Sequence, residues 1–487
     1  MNAPIRRLGV VAAAMFCALL VATTIIQFAQ ARSLDSKPGN RRTLLASYNK
    51  ERGSILVGDM AVAVSKPTKD DDLQWLRTYP QGLLYAGVTG YFSFTYGSSA
   101  IERNYDGFLS GNSDRLFYRR LVDAITGKPA QGASVQLTIN AKTQAVAARA
   151  LGNQRGAVVA LDTKTGAILA MVTSPTYDPN LLASHNLNEV QSAYVSLNND
   201  SSQPLFSRAI NGDLYPPGST FKLITTAAAL ESGKYTPDST LLGPAQLLLP
   251  DIGTRAYLPN DFAGPCGPTG KTSLSNALKV SCNTAYALLG MDLGQDAVRS
   301  MAIKFGFGQP LNIPLSVTPS IFPTVLNQSQ LAQSSIGQYD VRATPLQMAM
   351  VSAAIANGGK EMMPYLVSTV RATNLDVIQR TDPKIFANPI SSQTAQELTT
   401  MMESVVTDGT GMNAAIPGVN IAGKTGTAEH GVDLSADVWF TGFAPADNPK
   451  VAVSVLVENG GTAGQEASGG LVAAPIAKRV MEAMIEQ

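Results

Sequence analysis

Histidine and cysteine are nearly missing from this chain, with two His and three Cys scattered over 487 residues. So sparse a supply offers no zinc-type Cys/His cluster, and no metal site or cofactor is expected. It also leaves little room for a Ser–His–Asp triad, and His185 and His430 are read as ordinary surface residues. Charge is scarce too. Only 15% of residues are Asp, Glu, Lys or Arg and the formal net charge is +1, so there is no broad basic footprint and no nucleic-acid partner is expected.

Apolar residues, at 45%, are plentiful enough for a large core, and the length exceeds one ordinary domain. The longest apolar run holds 24 uncharged residues from Leu8 to Ala31. As a helix it would reach about 36 Å, more than the roughly 30 Å of a hydrocarbon core. We read residues 1–32 as a cytoplasmic tail and an uncleaved transmembrane anchor. Ala29-Gln30-Ala31 resembles a cleavage site, which leaves a processed leader as the alternative. Arg6 and Arg7 precede the run while Arg32, Lys37, Arg41 and Arg42 follow it, so flanking charge leaves the orientation open.

Residues 33–134 read as a smaller, strand-rich, non-catalytic N-terminal domain of the pedestal or dimerisation kind. Strands are expected at Gly53–Val57 and Met60–Val64, and strands and turns through the Gly-, Tyr- and Phe-rich stretch 79–111. Composition changes near residue 133. A strand at Val135–Ile139, a helix Ala141–Leu151 capped by Asn140, and a hairpin of Ala157–Leu161 with Ala167–Val172 come next. Mainly helical sequence follows (273–280, 283–290, 294–305, 344–357, 391–407). Strands return at Val419–Ala422, Val438–Phe443 and Val451–Val457, before a last helix from about Leu471 to Ile485. Strands at both ends with helices between them predict one α+β domain over 135–487. Its antiparallel sheet would pack the first hairpin beside the late strands.

The candidate chemistry centres on Pro216-Pro217-Gly218-Ser219-Thr220-Phe221-Lys222. The prolines and glycine end what precedes them, and an apolar helix is predicted from there to about Gly233. Ser219 falls in its first turn and Lys222 one turn on, on the same face. A lysine amine shielded by apolar neighbours can lose its proton at neutral pH and serve as the base for a serine nucleophile. Ser281-Cys282-Asn283 follows 62 positions after Ser219, where hydroxyl and amide could face one side. Ser281 could pass a proton to a leaving amine and Asn283 could hold a substrate carbonyl, although taken alone the pattern is better explained by a plain helix cap. Lys424-Thr425-Gly426-Thr427 lies 143 positions further. An extended peptide could lie along that strand, approach at Gly426 and place a carboxylate near the hydroxyls. The N–H of Thr427 could complete an oxyanion hole with that of Ser219.

The same three patterns occur once earlier, in the same order: Ser47 with Lys50, Ser110-Gly111-Asn112, and Lys164-Thr165-Gly166. Context separates the sets. The earlier ones read as a polar stretch, a polar loop and a hairpin turn; only the later set joins a buried-helix serine to a Lys-Thr-Gly flanked by strands.

With these three motifs, residues 135–487 resemble the transpeptidase domain of class B penicillin-binding proteins. Asp162–Ile168, Gly337–Gln347 and Trp439–Pro445 add to the resemblance, and Arg52-Gly53-Ser54-Ile55 is similar to the opening of that class's N-terminal module. The short N-terminal part is most similar to the penicillin-binding protein A type. The resemblance implies a penicillin-binding-protein/serine β-lactamase-like fold with a helical subdomain. It implies a peptidoglycan D,D-transpeptidase in which Ser219 is acylated by a stem peptide ending in D-Ala-D-Ala and β-lactams mimic that end. It implies an extracytoplasmic catalytic domain on the cytoplasmic membrane, and a lipid-linked glycan polymerase as partner. The family pattern has Asp where this chain has Cys282; with Ser281 and Asn283 facing the cleft, position 282 would point away. In that compartment Cys266 and Cys282, 16 positions apart, are expected to pair, the alternative being two buried thiols. Rival readings are a D,D-carboxypeptidase, a serine β-lactamase, a membrane-anchored β-lactam sensor and a silent scaffold for wall assembly.

Overall fold

The structure, a computed structural model, describes residues 3–30, 41–116, 125–127, 131–212, 214–250, 256–311, 313–429 and 435–486. His430, Ala31, Arg32 and Lys37 lie outside the described residues.

Helix α1 (Ala3–Thr24) opens the chain and continues to Phe28 as one apolar, unburied helix of 26 residues, long enough to cross a membrane. Strands β1 (Ile55–Val57), β2 (Met60–Pro67) and β3 (Trp75–Thr78) follow. Between 79 and 111, where strands and turns were expected, the chain instead forms short helices at Gly82–Thr89, Ala100–Asn104 and Asp106–Leu109, with only two two-residue strands. Gly, Tyr and β-branched residues have weak helix propensity, but five of the eight residues in Gly82–Thr89 are buried, and tertiary packing overrides propensity. The module is tied together by a buried ion cluster, in which Arg52 and Arg77 both donate to the Glu102 carboxylate at 2.6 and 2.7 Å.

Strand β4 (Ser134–Leu137) pairs in parallel with β1, and a later hairpin, β7 (Val367–Arg371) with β8 (Val377–Arg380), extends the same sheet in the order β8-β7-β4-β1-β2-β3. The second sheet is the one the sequence predicts. β5 (Gly156–Asp162) and β6 (Ile168–Ser174) form the hairpin, and β9 (Ala422–Ala428), β10 (Asp437–Ala444) and β11 (Val451–Val457) return beside it. The five run antiparallel in the order β9-β10-β11-β5-β6. The expected strand at Val419–Ala422 is displaced: the strand starts at Ala422 and runs through the Lys-Thr-Gly itself.

The helices lie within a residue or two of expectation, except that helix 283–290 extends to Leu293 and the last one begins as a π-helical turn at Gly469–Ala473 before the α-helix Ala474–Ile485; side-chain N-caps fix several of their starts. Asn140, Ser273, Thr344 and Ser391 each accept a hydrogen bond from the third residue on. Pro345–Ala356 is buried at every position behind the five-stranded sheet. His185 lies only partly at the surface: it is half-buried, its ring edge-on to that of Tyr48 at 5.7 Å, and burial lowers its pKa.

Candidate active site

The Pro-Pro-Gly turn does set up the helix, with a twist in its geometry. Gly218–Phe221 is a 3₁₀ turn that passes into the α-helix Lys222–Glu231. A 3₁₀ turn eclipses residues three apart, which stacks Lys222 on Ser219. Gly218 has φ +52°, and a Cβ there would lie 2.6 Å from the Thr427 carbonyl oxygen, so only glycine lets the turn seat against β9. The Trp439 indole donates to the Pro216 carbonyl at 3.0 Å and holds the turn from below.

Ser219 is 5% exposed and Lys222 is fully buried. Lys222 Nζ lies 2.8 Å from the Ser281 carbonyl, 2.7 Å from Asn283 Oδ1 and 3.3 Å from Ser281 Oγ. A neutral amine has two N–H bonds and one lone pair. The two carbonyl oxygens use both donors, so the lone pair is left for a hydroxyl. Burial brings the Lys222 pKa down to about 7, against the opposing pull of Asp261, which puts a substantial fraction of free base at neutral pH. Among the described residues no hydrogen bond joins Lys222 Nζ to Ser219 Oγ; such contacts often tighten only when substrate arrives.

The second lysine meets the same hydroxyl. Lys424, on β9, is fully buried and donates to Ser281 Oγ at 2.9 Å and to the Thr425 carbonyl at 2.9 Å. Burial and then the neighbouring Lys222 lower its pKa. Ser281 Oγ thus sits between two amines, on a residue held at φ +60°, an uncommon conformation for a non-glycine. Cys282, buried beside it, forms a disulfide with Cys266, while Asn283 lines the cleft. The helix N-cap is Cys282 itself, whose Sγ accepts from the Ala285 N–H.

The structure therefore gathers Ser219, Lys222, Ser281, Asn283 and Lys424 at one place. Thr425 packs beside them, its hydroxyl 2.6 Å from that of Thr410, and Thr427 lines the open cleft of about 670 Å³ with Ser219, Asn283 and Asp261. Gly426 has a reason other than peptide approach: a Cβ there would stand 2.9 Å from the Pro217 carbonyl and 3.1 Å from Trp439, so the bare backbone makes room for the serine turn. The earlier motif copies are elsewhere. Ser47 lies in the last turn of the helix Arg41–Tyr48, Ser110 follows the helix Asp106–Leu109, and Lys164 is exposed in the hairpin turn.

Sequence reasoning missed the segment Pro259–Asp261. Asn283 Nδ2 donates to the Pro259 carbonyl at 3.2 Å and to Asp261 Oδ1 at 2.7 Å, while Asn260 Oδ1 accepts from the Thr284 N–H. No motif marks this stretch; the disulfide at Cys266 was the one available hint. Thr410 also went unseen, being in contact with the site only through the fold.

Two families match the chain: "Penicillin binding protein transpeptidase domain" over residues 156–482, and "Penicillin binding protein A dimerisation domain" over 52–135. The chain belongs to the penicillin-binding transpeptidases. It is 43% identical over 496 residues to peptidoglycan D,D-transpeptidase PbpA of Mycolicibacterium smegmatis, covering 100% of both chains. The PbpA of Mycobacterium tuberculosis is 44% identical over 498 residues, with 100% of this chain and 99% of that one covered. Among solved structures, penicillin-binding protein A from M. tuberculosis as a ceftriaxone acyl-enzyme matches with TM-score 0.87 at 44% identity, over 91% of this chain and 100% of that one. Its penicillin G acyl-enzyme matches with TM-score 0.84 at 44% identity, over 90% and 100%. This penicillin-binding protein thus has the class B fold and the transpeptidase domain its motifs imply.

Proposed function

We propose that the chain is a membrane-anchored peptidoglycan D,D-transpeptidase acting through a Ser219 acyl-enzyme. The observation that carries the reading is the buried Lys222 amine, whose two donors are committed and whose lone pair is free. Ser219 Oγ attacks the penultimate D-alanine carbonyl of a stem peptide while Lys222 takes its proton. The N–H groups of Ser219 and Thr427 receive the oxyanion. As the C–N bond breaks, Ser281 relays a proton from Lys222 to the departing D-alanine amine, its hydroxyl lying within reach of both lysines. The Thr425 and Thr427 hydroxyls, with Lys424 behind them, receive the terminal carboxylate. A second stem's amine then attacks the ester and frees Ser219. A β-lactam enters by the same first step, and its ring prevents departure of a leaving group.

The reading keeps the anchor at 1–32, an N-terminal module at 33–134 and the catalytic domain at 135–487, beside family matches at 52–135 and 156–482. It places the catalytic domain outside the cytoplasmic membrane on a single span. The Cys266–Cys282 disulfide supports an oxidising compartment. A lipid-linked glycan polymerase as partner remains part of this proposal on family grounds alone. Product analysis with a paired stem-peptide substrate tests the reading. A cross-linked dimer lost in Ser219→Ala is expected. Release of D-alanine without dimer would make it a carboxypeptidase, and a stable adduct without product would make it a sensor.

A further inference from the structure

Asn283 can carry its amide in one orientation only. Lys222 Nζ donates on one side at 2.7 Å, and the Asp261 carboxylate accepts on the other at 2.7 Å. A flipped amide would set oxygen against carboxylate and N–H against a donor. Asp261 is exposed at the rim of the cleft and, among the described residues, makes no ion pair. Its bond to Asn283 is charge-assisted and shorter than the 3.2 Å contact that the same nitrogen makes with the Pro259 carbonyl.

We propose that Asp261 is a positioning residue for acylation: by holding Asn283 Nδ2 it fixes the amide oxygen on Lys222 and so aims the lysine lone pair. The proposal rests on the reading of Ser219 and Lys222 given above. It also assigns the two hydrogens of Nδ2. Asp261 keeps one through the reaction, and an incoming substrate carbonyl takes the other from Pro259. The charged or titratable groups facing Lys222 are Asp261 from the loop, Lys424 from β9, and Tyr286, whose ring lies 5.5 Å from Nζ and whose hydroxyl bonds Thr226. Of these Asp261 alone favours the protonated amine, so its removal leaves burial less opposed and Lys222 still easier to deprotonate.

Two variants separate aiming from charge. Asp261→Asn keeps an oxygen acceptor but no charge; Asp261→Ala keeps neither. The readout is the second-order rate of acylation by a fluorescent penicillin on the full-length protein, measured across pH. Both variants are expected to move the acid limb of the profile to lower pH. On the alkaline plateau Asp261→Ala is expected to fall roughly tenfold, while Asp261→Asn stays within about twofold of wild type. A wild-type plateau in Asp261→Ala overturns the assignment, whatever its acid limb. So does an unmoved acid limb in both variants. Ser219→Ala run alongside tells this failure from failure of the underlying reading: label persisting there would undo the nucleophile itself.

Discussion

Two Lys-Thr-Gly tripeptides occupy this chain and share nothing but their letters. In the first, Asp162 Oδ1 gathers the N–H groups of Lys164 and Thr165 and the Thr165 hydroxyl, Gly166 turns at φ +79°, and the Lys164 side chain points into solvent. In the second, the tripeptide lies flat in the edge strand of the five-stranded sheet, Lys424 paired across to Thr441 and Gly426 to Trp439, and the lysine is wholly buried against Ser281. Water surrounds one lysine; protein surrounds the other, and burial lowers its pKa. A tripeptide becomes a site through the elements that close over it.

The largest expected effect of breaking that enclosure is at Lys222. Lys222→Ala should cut the acylation rate by at least about a thousandfold with the fold retained, and Lys222→Arg should fail equally, because Arg does not deprotonate at working pH. With Lys222 as the proposed base, its free amine, of pKa about 7, is the active form, and acylation should rise with pH through that value. Near-normal rates in Lys222→Arg would remove the general base.

A buried carboxyl outside the site sharpens the comparison. Glu361 is fully buried, neither carboxyl oxygen has a hydrogen-bond partner among the described residues, and burial pushes its pKa up to about 8. A raised carboxyl pKa makes its stability contribution complete below the unfolded value of 4.5 and progressively lost up to about 8, at roughly 1.4 kcal/mol per unit of pH. Glu361→Gln should flatten that slope in denaturant titrations at pH 5 and pH 8, without slowing acylation. An unchanged slope would mean the carboxyl finds partners in solution.

The disulfide comes next. It pins the turn that presents Ser281 and Asn283, and closing so short a loop is worth about 3 kcal/mol in the chain-entropy view. Reduction, or Cys266→Ser, should lower the unfolding free energy by about that much and slow acylation of the still-folded protein. Full activity after reduction would show that the turn holds without it. The smallest effect belongs to the other tripeptide: Lys164→Ala should acylate within about twofold of wild type, as an exposed turn residue would.

Much of this was legible in advance because the signals were local. The helices at 273–280, 344–357 and 391–407 are set by periodicity and by caps such as Ser273, Thr344 and Ser391, and the central sheet by runs such as Val451–Val457. Lys222, the proposed base, was visible because an apolar helix surrounds it. What stayed hidden depends on partners far along the chain. Gly82–Thr89 is helical because it is buried, Gly426 is bare because Pro217 and Trp439 crowd it, and Asp261 reaches Asn283 only once the disulfide loop folds back.

The central claim is that the later motif set, and not its earlier copy, is the reactive one. Mass spectrometry of the penicillin-treated protein tests it directly. One adduct is expected, on the peptide containing Ser219, with Ser47→Ala unchanged; an adduct on the Ser47 peptide, or labelling that survives in Ser219→Ala, would contradict it.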